Sequence, residues 1–469
     1  MSYSESAKHL VPDTAKSCTD DTSARIADKT PHSERPLSSN KSSIITDYAP
    51  LTATKPKNSW CSLPIDVLTL SALVVLWLST RALMLWLYAE RYRYIVGDVA
   101  YYFNSLQTAD NATLSEYPLP AVWLLRLVRL ISGDNFAAFE LGFGLLTTAC
   151  DLAAIVLLAR RSKLAAGYWI LFTAAIGPLI WVRLDIIIAF LVCASLTLLT
   201  KSDHTSGAAM AFAAGFKMWP AALIAPIISP NRAGMRRLIG FAVVGLALGS
   251  CSLLLGGWAR NISPLTWQSE RGLQIEAVSA TWPMILHALP DRGYTVSFTS
   301  SNAYEVFGTA VPFWLQVSQV AFLVTWVIII FMSGWLCWQQ RKQPTNPAVA
   351  HRVLVAQVAT VLATILLLIA VNKTLSPQYM FWLAGPLAFG ISLPHSPAGR
   401  FIAYIGGSVA LTSALLTQAV YPITYTALVQ PYLGDTFATA LLVIRNLTVL
   451  GMALGSVPLA FTTARRIVR

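Results

Sequence analysis

Charged and polar side chains interrupt an otherwise apolar chain at a few short segments. These segments hold Asp98 in "VGDVAYY", Arg183 and Asp185 in "RLD", Lys217 in "FKMWP", Arg271, Gln274 and Glu276 in "RGLQIE", and Lys373, Gln378 and Tyr379 in "NKTLSPQY". Ionisable groups at membrane depth are costly, and they are functional candidates for that reason. The cations suit a phosphate group, whereas a carboxylate can remove a proton from a hydroxyl. Carboxylates and aromatic faces together also suit a sugar.

Glu116 and Tyr117 belong to the same set, because they follow Asp98 in one long polar stretch. For each residue taken singly, a structural role is an equal alternative. Asp98 could pair with Arg91 or Arg93, and Arg183 could pair with Asp185. Lys217 could be an interfacial lysine whose ammonium snorkels to water.

The composition predicts an all-α polytopic membrane protein. The 469 residues are 55% hydrophobic and 12% charged, whereas soluble domains carry about 25% charged residues. The net charge of +12 fits basic loops that fix membrane orientation, so no nucleic-acid partner is expected. The sequence shows no nucleotide-binding fingerprint, no metal-ligand spacing and no CxxC pair. We therefore expect no cofactor and no metal.

Apolar runs of about 20 residues are long enough to cross a bilayer. Ten spans are predicted at 64–88, 136–159, 164–181, 184–200, 238–258, 311–338, 350–371, 379–394, 400–420 and 437–463. Short basic connections between them indicate cytoplasmic loops. The polar residues 1–60 are predicted to be a disordered cytoplasmic tail, and residues 61–469 the transmembrane domain. Both termini are then cytoplasmic, in a multi-pass plasma-membrane protein.

The run 206–229 conflicts with a single crossing, because basic segments flank it on both sides. Two short half-helices that form a re-entrant hairpin resolve the conflict. Pro220 disfavours helical geometry in the preceding residue, so the turn is predicted between Lys217 and Pro220. Such non-helical backbone is tolerated at membrane depth only inside protein or beside a cavity. Lys217 is therefore expected at the hairpin tip, facing the outer side, in a bundle of about 12 segments.

Two long outer loops follow from this topology, at about 89–135 and 259–310. The second half of the first loop is amphipathic. Its apolar residues Trp123, Leu124, Leu127 and Leu130 are set against Arg126 and Arg129. This pattern is typical of a helix that lies in the membrane interface. The candidate polar residues all fall in or next to outer segments.

The chain resembles a known family in several of these segments. "FKMWPAALIAPI", "RGLQIEAV" and "NKTLSPQYMFWL", in this order, are similar to the polyprenol-phosphate-sugar-dependent mannosyltransferases of actinobacteria, glycosyltransferase family 87. The preceding "RLDIIIAFLVCASLTLL" is also similar, and the resemblance covers about residues 64–463. "RGLQIE" and "LSPQY" are its more specific phrases. The chain departs from the family pattern in "VGDVAYYF", which lacks a second adjacent carboxylate.

The resemblance implies a GT-C fold, with a catalytic carboxylate in the first outer loop and an active site on the outer face. It implies a lipid-linked sugar phosphate as donor and a glycolipid or lipoglycan as acceptor, with inversion at the transferred sugar. Asp98 matches the catalytic aspartate. Lys217, Arg271 and Lys373 match positions suited to the donor phosphate, and Glu276 and Gln378 match polar positions near the sugar or acceptor.

The expected function is therefore that of an inverting α-mannosyltransferase of cell-wall lipoglycan biosynthesis, a hexosyltransferase of the plasma membrane. An arabinofuranosyltransferase is the alternative, because related enzymes use polyprenyl-phosphate arabinose. A secondary transporter is the alternative from another class, since transporters also use broken helices around a mid-membrane site. The sequence shows one hairpin and no second copy of it, which favours the enzyme.

Overall fold

The structure is a computed structural model that describes residues 62–108, 110, 113–341, 343 and 346–468. The predicted tail, residues 1–60, lies outside the described residues. The helices are α1 Ser62–Glu90, α2 Gly97–Ser105, α3 Leu119–Ser132, α4 Phe136–Ala159, α5 Lys163–Ile176, α6 Asp185–Leu198, α7 Asp203–Phe216, α8 Ile224–Ile227, α9 Arg232–Glu270, α10 Thr281–His287, α11 Val311–Arg341, α12 Pro347–Val371, α13 Phe381–Ile391, α14 Pro397–Gln418, α15 Tyr425–Leu428 and α16 Thr436–Arg465. The prediction of a mainly helical chain is confirmed.

Seven helices of the described residues are long and apolar enough to cross a membrane. They are α1, α4, α9, α11, α12, α14 and α16. Each of them contains most of one predicted span. α9 continues past the predicted end of its span, through a kink at Gly257, where φ is 70°.

Three predicted spans hold shorter helices. α5 and α6 have 14 residues each and α13 has 11. At a rise of about 1.5 Å per residue, 14 residues reach about 21 Å, less than the roughly 30 Å of a bilayer core. α5 stops because Gly177 has a φ of 86° and Pro178 begins a 3-10 turn. Most residues of the three helices are buried, so these helices lie in the interior of the bundle.

α7 and α9 cross with their backbones in close approach. A Cβ atom on Gly207 would lie 1.9 Å from the Arg237 carbonyl oxygen, and one on Gly240 would lie 2.1 Å from the His204 carbonyl oxygen. Small residues permit this approach of two backbones. After α7 the helical path breaks at Lys217, whose backbone is extended, and a 3-10 turn begins at Trp219. The break lies where the sequence predicts a turn.

Two features of the long loops differ from the sequence prediction. α3 forms where an amphipathic helix was predicted, but it buries Leu125 and Val128 and leaves Leu127 and Leu130 exposed, at 52% and 81%. The second loop contains an antiparallel hairpin of β1 Thr295–Phe298 and β2 Tyr304–Phe307. Alternating β-branched and aromatic residues around a polar turn, "YTVSFTSSNAYEVF", are the signal that could have predicted it.

The short basic loops meet at one end of the helices. Arg161 donates to Ser392 and Thr200, and Arg352 donates to the Arg466 carbonyl oxygen. Within the described part of the loops 160–163, 199–203, 228–237, 341–347, 392–400 and 465–468, Asp203 is the single acidic residue. We call this the basic end. α6 runs from it to Asp185, so the polar segments collect at the opposite end.

Candidate functional site

Asp98 forms an ion pair with Arg183. Asp98 lies in the first turn of α2, and Arg183 lies between the 3-10 turn Pro178–Trp181 and α6. The aspartate side chain is 38% exposed and the arginine side chain 8%. Tyr421 adds a hydrogen bond to the guanidinium. The carboxylate is therefore the accessible member of a pair whose cation is anchored inside the protein.

The pairings considered as structural alternatives are wrong. Arg93 does not hold Asp98; its Nη2 binds Glu140 Oε2 at 2.6 Å. Arg183 does not pair with Asp185, which has another partner. Arg183 lies in the loop before α6, where its guanidinium pairs with Asp98, whereas Asp185 opens α6 and its carboxylate is bound by Lys217 and Trp382.

Lys217 pairs with Asp185 across the break after α7. Its Nζ lies 2.9 Å from Asp185 Oδ1 and 3.1 Å from Oδ2. Trp382 Nε1 donates to the same Oδ1 at 2.6 Å. The lysine side chain is 22% exposed and the aspartate 4%. A buried carboxylate therefore holds the ammonium.

Three aromatic rings lie next to this pair. Trp382 stacks between Tyr379, at 4.2 Å between centroids, and Trp219, at 4.3 Å. Lys217 Nζ lies 4.8 Å from the Tyr379 centroid, which adds a cation–π attraction. Trp219 Nε1 is buried and has no hydrogen-bond partner among the described residues. The sequence analysis gave neither tryptophan a role, although Trp219 lies within "KMWP" and Trp382 lies three residues after "LSPQY".

Glu276 is buried against Arg445, a residue the sequence analysis also missed. Glu276 Oε2 lies 3.3 Å from Arg445 Nη2, and the two residues are 1% and 0% exposed. Burial raises the pKa of Glu276 to about 7, while the guanidinium groups of Arg445 and Arg183 act in the opposite direction. Arg183, the partner of Asp98, thus also lies within electrostatic reach of Glu276.

Arg445 could have been found from the sequence, because it is an arginine within the predicted span 437–463. Ionisable groups inside spans face the interior and have partners. Its Nε and Nη1 have no hydrogen-bond partner among the described residues. Arg81, in the first span, is a different case: Asp151 and Thr173 bind its guanidinium, and this satisfied network is structural.

Glu116 lies near Arg260 and Arg271, and Tyr117 lies near the Lys217–Asp185 pair. Tyr101 hydrogen-bonds to Glu116, whose pKa is raised by burial and held down by Arg260 and Arg271. The Tyr117 hydroxyl lies 3.0 Å from the Tyr102 hydroxyl. Burial raises the pKa of Tyr117, and the Glu116 and Asp185 carboxylates raise it further. Tyr117 therefore lies within electrostatic reach of Glu116 and of the Lys217–Asp185 pair.

Lys373 joins two backbone segments. Its Nζ donates to the carbonyl oxygens of Ser269 at 2.9 Å and Arg271 at 2.5 Å, and its own carbonyl accepts from the Gln274 amide at 3.0 Å. Two of its three N–H groups are thus occupied. Arg271 Nε and the buried Gln274 Oε1 have no hydrogen-bond partner in the described part of the chain.

Glu305 and Gln378 complete this region. Glu305 Oε1 accepts from the Gly272 amide at 3.0 Å, and a Cβ on Gly272 would lie 2.4 Å from Glu305 Oε2. A side chain at position 272 would require the Glu305 carboxylate to move, so the glycine of "RGLQIE" leaves room for this contact. Gln378 accepts a hydrogen bond from Ser376. The sequence analysis missed Glu305 because its partner strand was not predicted.

The structure brings all twelve predicted site residues to the end of the bundle opposite the basic end. It does not make one phosphate cradle of the three predicted cations: Lys217 pairs with Asp185, Lys373 binds backbone carbonyls, and Arg271 keeps an unpartnered Nε. Among the described residues, no group of three or more His, Cys, Asp or Glu could hold a metal ion.

No family model, no curated protein and no solved structure matches the chain. The resemblance to the mannosyltransferases therefore stays a prediction.

Proposed function

We propose that the chain is an inverting glycosyltransferase that moves mannose from a polyprenyl-phosphate donor to a glycolipid or lipoglycan. The observation that carries the proposal is the Asp98–Arg183 pair, with its accessible carboxylate and buried cation. Around it stand donors that have no partner among the described residues, together with aromatic rings and further carboxylates from distant parts of the chain. This chemistry suits a sugar phosphate better than an apolar solute.

In the proposed reaction, Asp98 accepts the proton of the acceptor hydroxyl. The hydroxyl oxygen forms a bond to the anomeric carbon, and the bond from that carbon to the phosphate oxygen breaks from the opposite face. The polyprenyl phosphate leaves with the electron pair, so the configuration inverts. A positioned base contributes on the order of 10²–10⁴-fold to the rate.

The departing phosphate requires cations, because negative charge develops on it. Arg271 is the best placed, since its Nε lacks a partner among the described residues. Lys373 retains one N–H, and Lys217 can share its ammonium between Asp185 and a phosphate oxygen. Glu116, Tyr117, Gln274, Glu276, Gln378 and Tyr379 are proposed to bind sugar or acceptor, directly or by shaping the site.

The finer topology is part of the same proposal. We propose about 12 membrane segments in a GT-C-like bundle, with the break at Lys217 as the tip of a re-entrant hairpin. The basic end would face the cytoplasm, following the bias of Lys and Arg toward cytoplasmic loops. The polar end would then face outward, where a lipid-linked donor and a glycan acceptor can meet.

Isolated membranes test the proposal. Membranes that contain the chain are incubated with a lipoglycan extract and radiolabelled polyprenyl-phosphate mannose, and in parallel with the arabinose donor. Membranes with Asp98→Asn protein at the same level are the control. Transfer of mannose by wild type only is expected. Transfer of arabinose only would favour the arabinofuranosyltransferase, and no transfer from either donor would contradict the glycosyltransferase proposal.

A further inference from the structure

A cavity of about 430 Å³ lies at the basic end, far along the helices from the candidate site. It opens between the start of α9, the end of α11 and the start of α12. Its polar lining includes Ser229, Asn231, Arg237, Gln340, Asn346 and Gln357. Its volume falls within the roughly 300–1,000 Å³ of small-molecule sites. None of these residues takes part in the proposed reaction.

The polar atoms that remain for a ligand are mainly donors. Asn231 Oδ1 caps α9 by accepting from the Gly234 amide at 3.0 Å, and Asn346 Oδ1 caps α12 by accepting from the Val349 amide at 2.8 Å. Each cap leaves the two N–H groups of Nδ2 as possible donors. Gln340 Nε2 is buried and has no hydrogen-bond partner among the described residues.

Arg237 adds a cation that is 8% exposed. Its Nε binds Asp203 at 2.8 Å, its Nη1 the Ile227 carbonyl at 2.9 Å, and its Nη2 the Leu199 carbonyl at 3.3 Å. A guanidinium has five N–H groups, of which Nη1 and Nη2 carry two each. After the contacts above, each of these two nitrogens retains one N–H group that can donate to a ligand. The N-termini of α9 and α12 also border the cavity, and helix N-termini carry partial positive charge.

We infer that this cavity binds the phosphate headgroup of an anionic, hydroxyl-bearing membrane phospholipid. A donor-rich cavity requires an acceptor-rich ligand, and its surrounding loops are basic except for Asp203. Cavities at the ends of membrane-spanning helices lie near the level of lipid headgroups, and basic pockets there select anionic lipids. The Gln357 and Ser229 side chains supply acceptors for headgroup hydroxyls. The inference does not rest on the proposed catalytic function.

Native mass spectrometry of the purified full-length protein tests this inference. The probe is dioleoyl phosphatidylglycerol, with dioleoyl phosphatidylcholine as the zwitterionic lipid and glycerol 1-phosphate as the soluble phosphate. One variant, Ala350→Trp, fills the cavity from an exposed position in the first turn of α12. Another, Gln340→Met, removes the unpartnered donor. Gln319→Met is the matched control, since Gln319 is an exposed glutamine of the same helix outside the cavity lining.

Wild type and Gln319→Met are expected to retain one phosphatidylglycerol at least tenfold more tightly than phosphatidylcholine. Ala350→Trp should weaken that retention at least about tenfold, and so should Gln340→Met, because one lost hydrogen bond to a charged group corresponds to about tenfold or more. Equal retention by wild type and both cavity variants would overturn the inference, as would equal retention of the two lipids. Displacement of the lipid by equimolar glycerol 1-phosphate would overturn the assignment to a lipid.

Discussion

The Asp98 carboxylate and the Arg183 guanidinium form an ion pair in which the carboxylate is accessible and the guanidinium is buried. Arg183 is held in a tight loop before α6, whereas Asp98 opens α2 within the first long loop. The buried cation stabilises the ionised carboxylate and fixes its direction. A base needs both properties: a fixed position and access to the hydroxyl it deprotonates. The same pairing explains why Arg183 is not available to Asp185.

Asp98→Asn is expected to abolish sugar transfer while donor binding is nearly retained. Asparagine keeps the size of the side chain and can still accept a hydrogen bond from Arg183, but it cannot take up a proton as a carboxylate can. Single-turnover transfer and equilibrium donor binding, both in membranes, separate the two effects.

Glu116→Gln is the matched control, because Glu116 is a buried carboxylate of the same loop region. It should lose less activity than Asp98→Asn. If Asp98→Asn keeps a tenth of wild-type turnover, a barrier difference of only about 1.4 kcal/mol, Asp98 is not the base. Glu116 and Glu276 would then be the next carboxylates to replace.

Lys217→Met is expected to reduce both stability and donor use. It leaves the Asp185 carboxylate, 4% exposed, without its cation, and breaking a buried pair costs about 3–5 kcal/mol. Asp185 still accepts a hydrogen bond from Trp382, so a loss of stability near the lower limit of this range is expected. Thermal unfolding in detergent measures the stability, and donor titration measures the binding.

The double variant Lys217→Met/Asp185→Asn separates the two roles of Lys217. It removes both charges of the pair, so stability should recover relative to the single variant. Donor binding should stay weak if the ammonium contacts the phosphate. Recovery of donor binding together with stability would assign Lys217 a purely structural role.

The sequence predicts which segments carry the polar residues and that they share one end, because apolar runs and basic loops define where each helix begins and ends. The partner of each charge is not predictable in the same way. It depends on how each helix is rotated in the bundle, and several partners lie within a few residues of one another. Lys217 thus pairs with a residue 32 positions earlier in the chain.

Other features were missed for more specific reasons. Arg445 lies in a span of high mean hydropathy. A single arginine lowers this mean only slightly, so the mean hydropathy alone does not point to it. The position of Glu305 depends on the two-stranded hairpin of β1 and β2. The short polar segments around these strands make the hairpin difficult to recognise in the sequence. The shortness of α5 could have been predicted, since Gly177-Pro178 is a strong helix-stop signal.

Position 218 is expected to react with a membrane-impermeant thiol reagent added from outside, whereas positions 203 and 232 are not. Met218 is 42% exposed at the helix break, and Arg232 lies at the basic end. Each position is changed to Cys in a cysteine-free background and labelled in intact cells. Labelling of position 232 under these conditions would exclude the proposed hairpin. If all three positions are labelled only after permeabilisation, Met218 lies on the cytoplasmic side.

The last prediction concerns the pH dependence of stability at Glu276. Burial raises the pKa of this carboxyl from about 4.5 to about 7. The folded state therefore binds the proton more tightly than the unfolded state, and between these values stability falls as the pH rises. The stabilisation is fully present below about pH 4.5 and is lost as the pH passes about 7. Each pKa unit corresponds to about 1.4 kcal/mol, so the total is on the order of 3 kcal/mol.

Glu276→Gln should remove this dependence, because the amide does not titrate. Unfolding curves of wild type and variant, measured in detergent from pH 5 to pH 8, should nearly coincide at pH 5. At pH 8 the variant should be the more stable, although it lacks the ion pair with Arg445. Glu270→Gln, at an exposed glutamate close by, should follow wild type throughout. A Glu276→Gln variant that is less stable than wild type at pH 8 would mean that the Arg445 pair outweighs the burial of the carboxylate, and that the pKa of Glu276 is not raised in the folded protein.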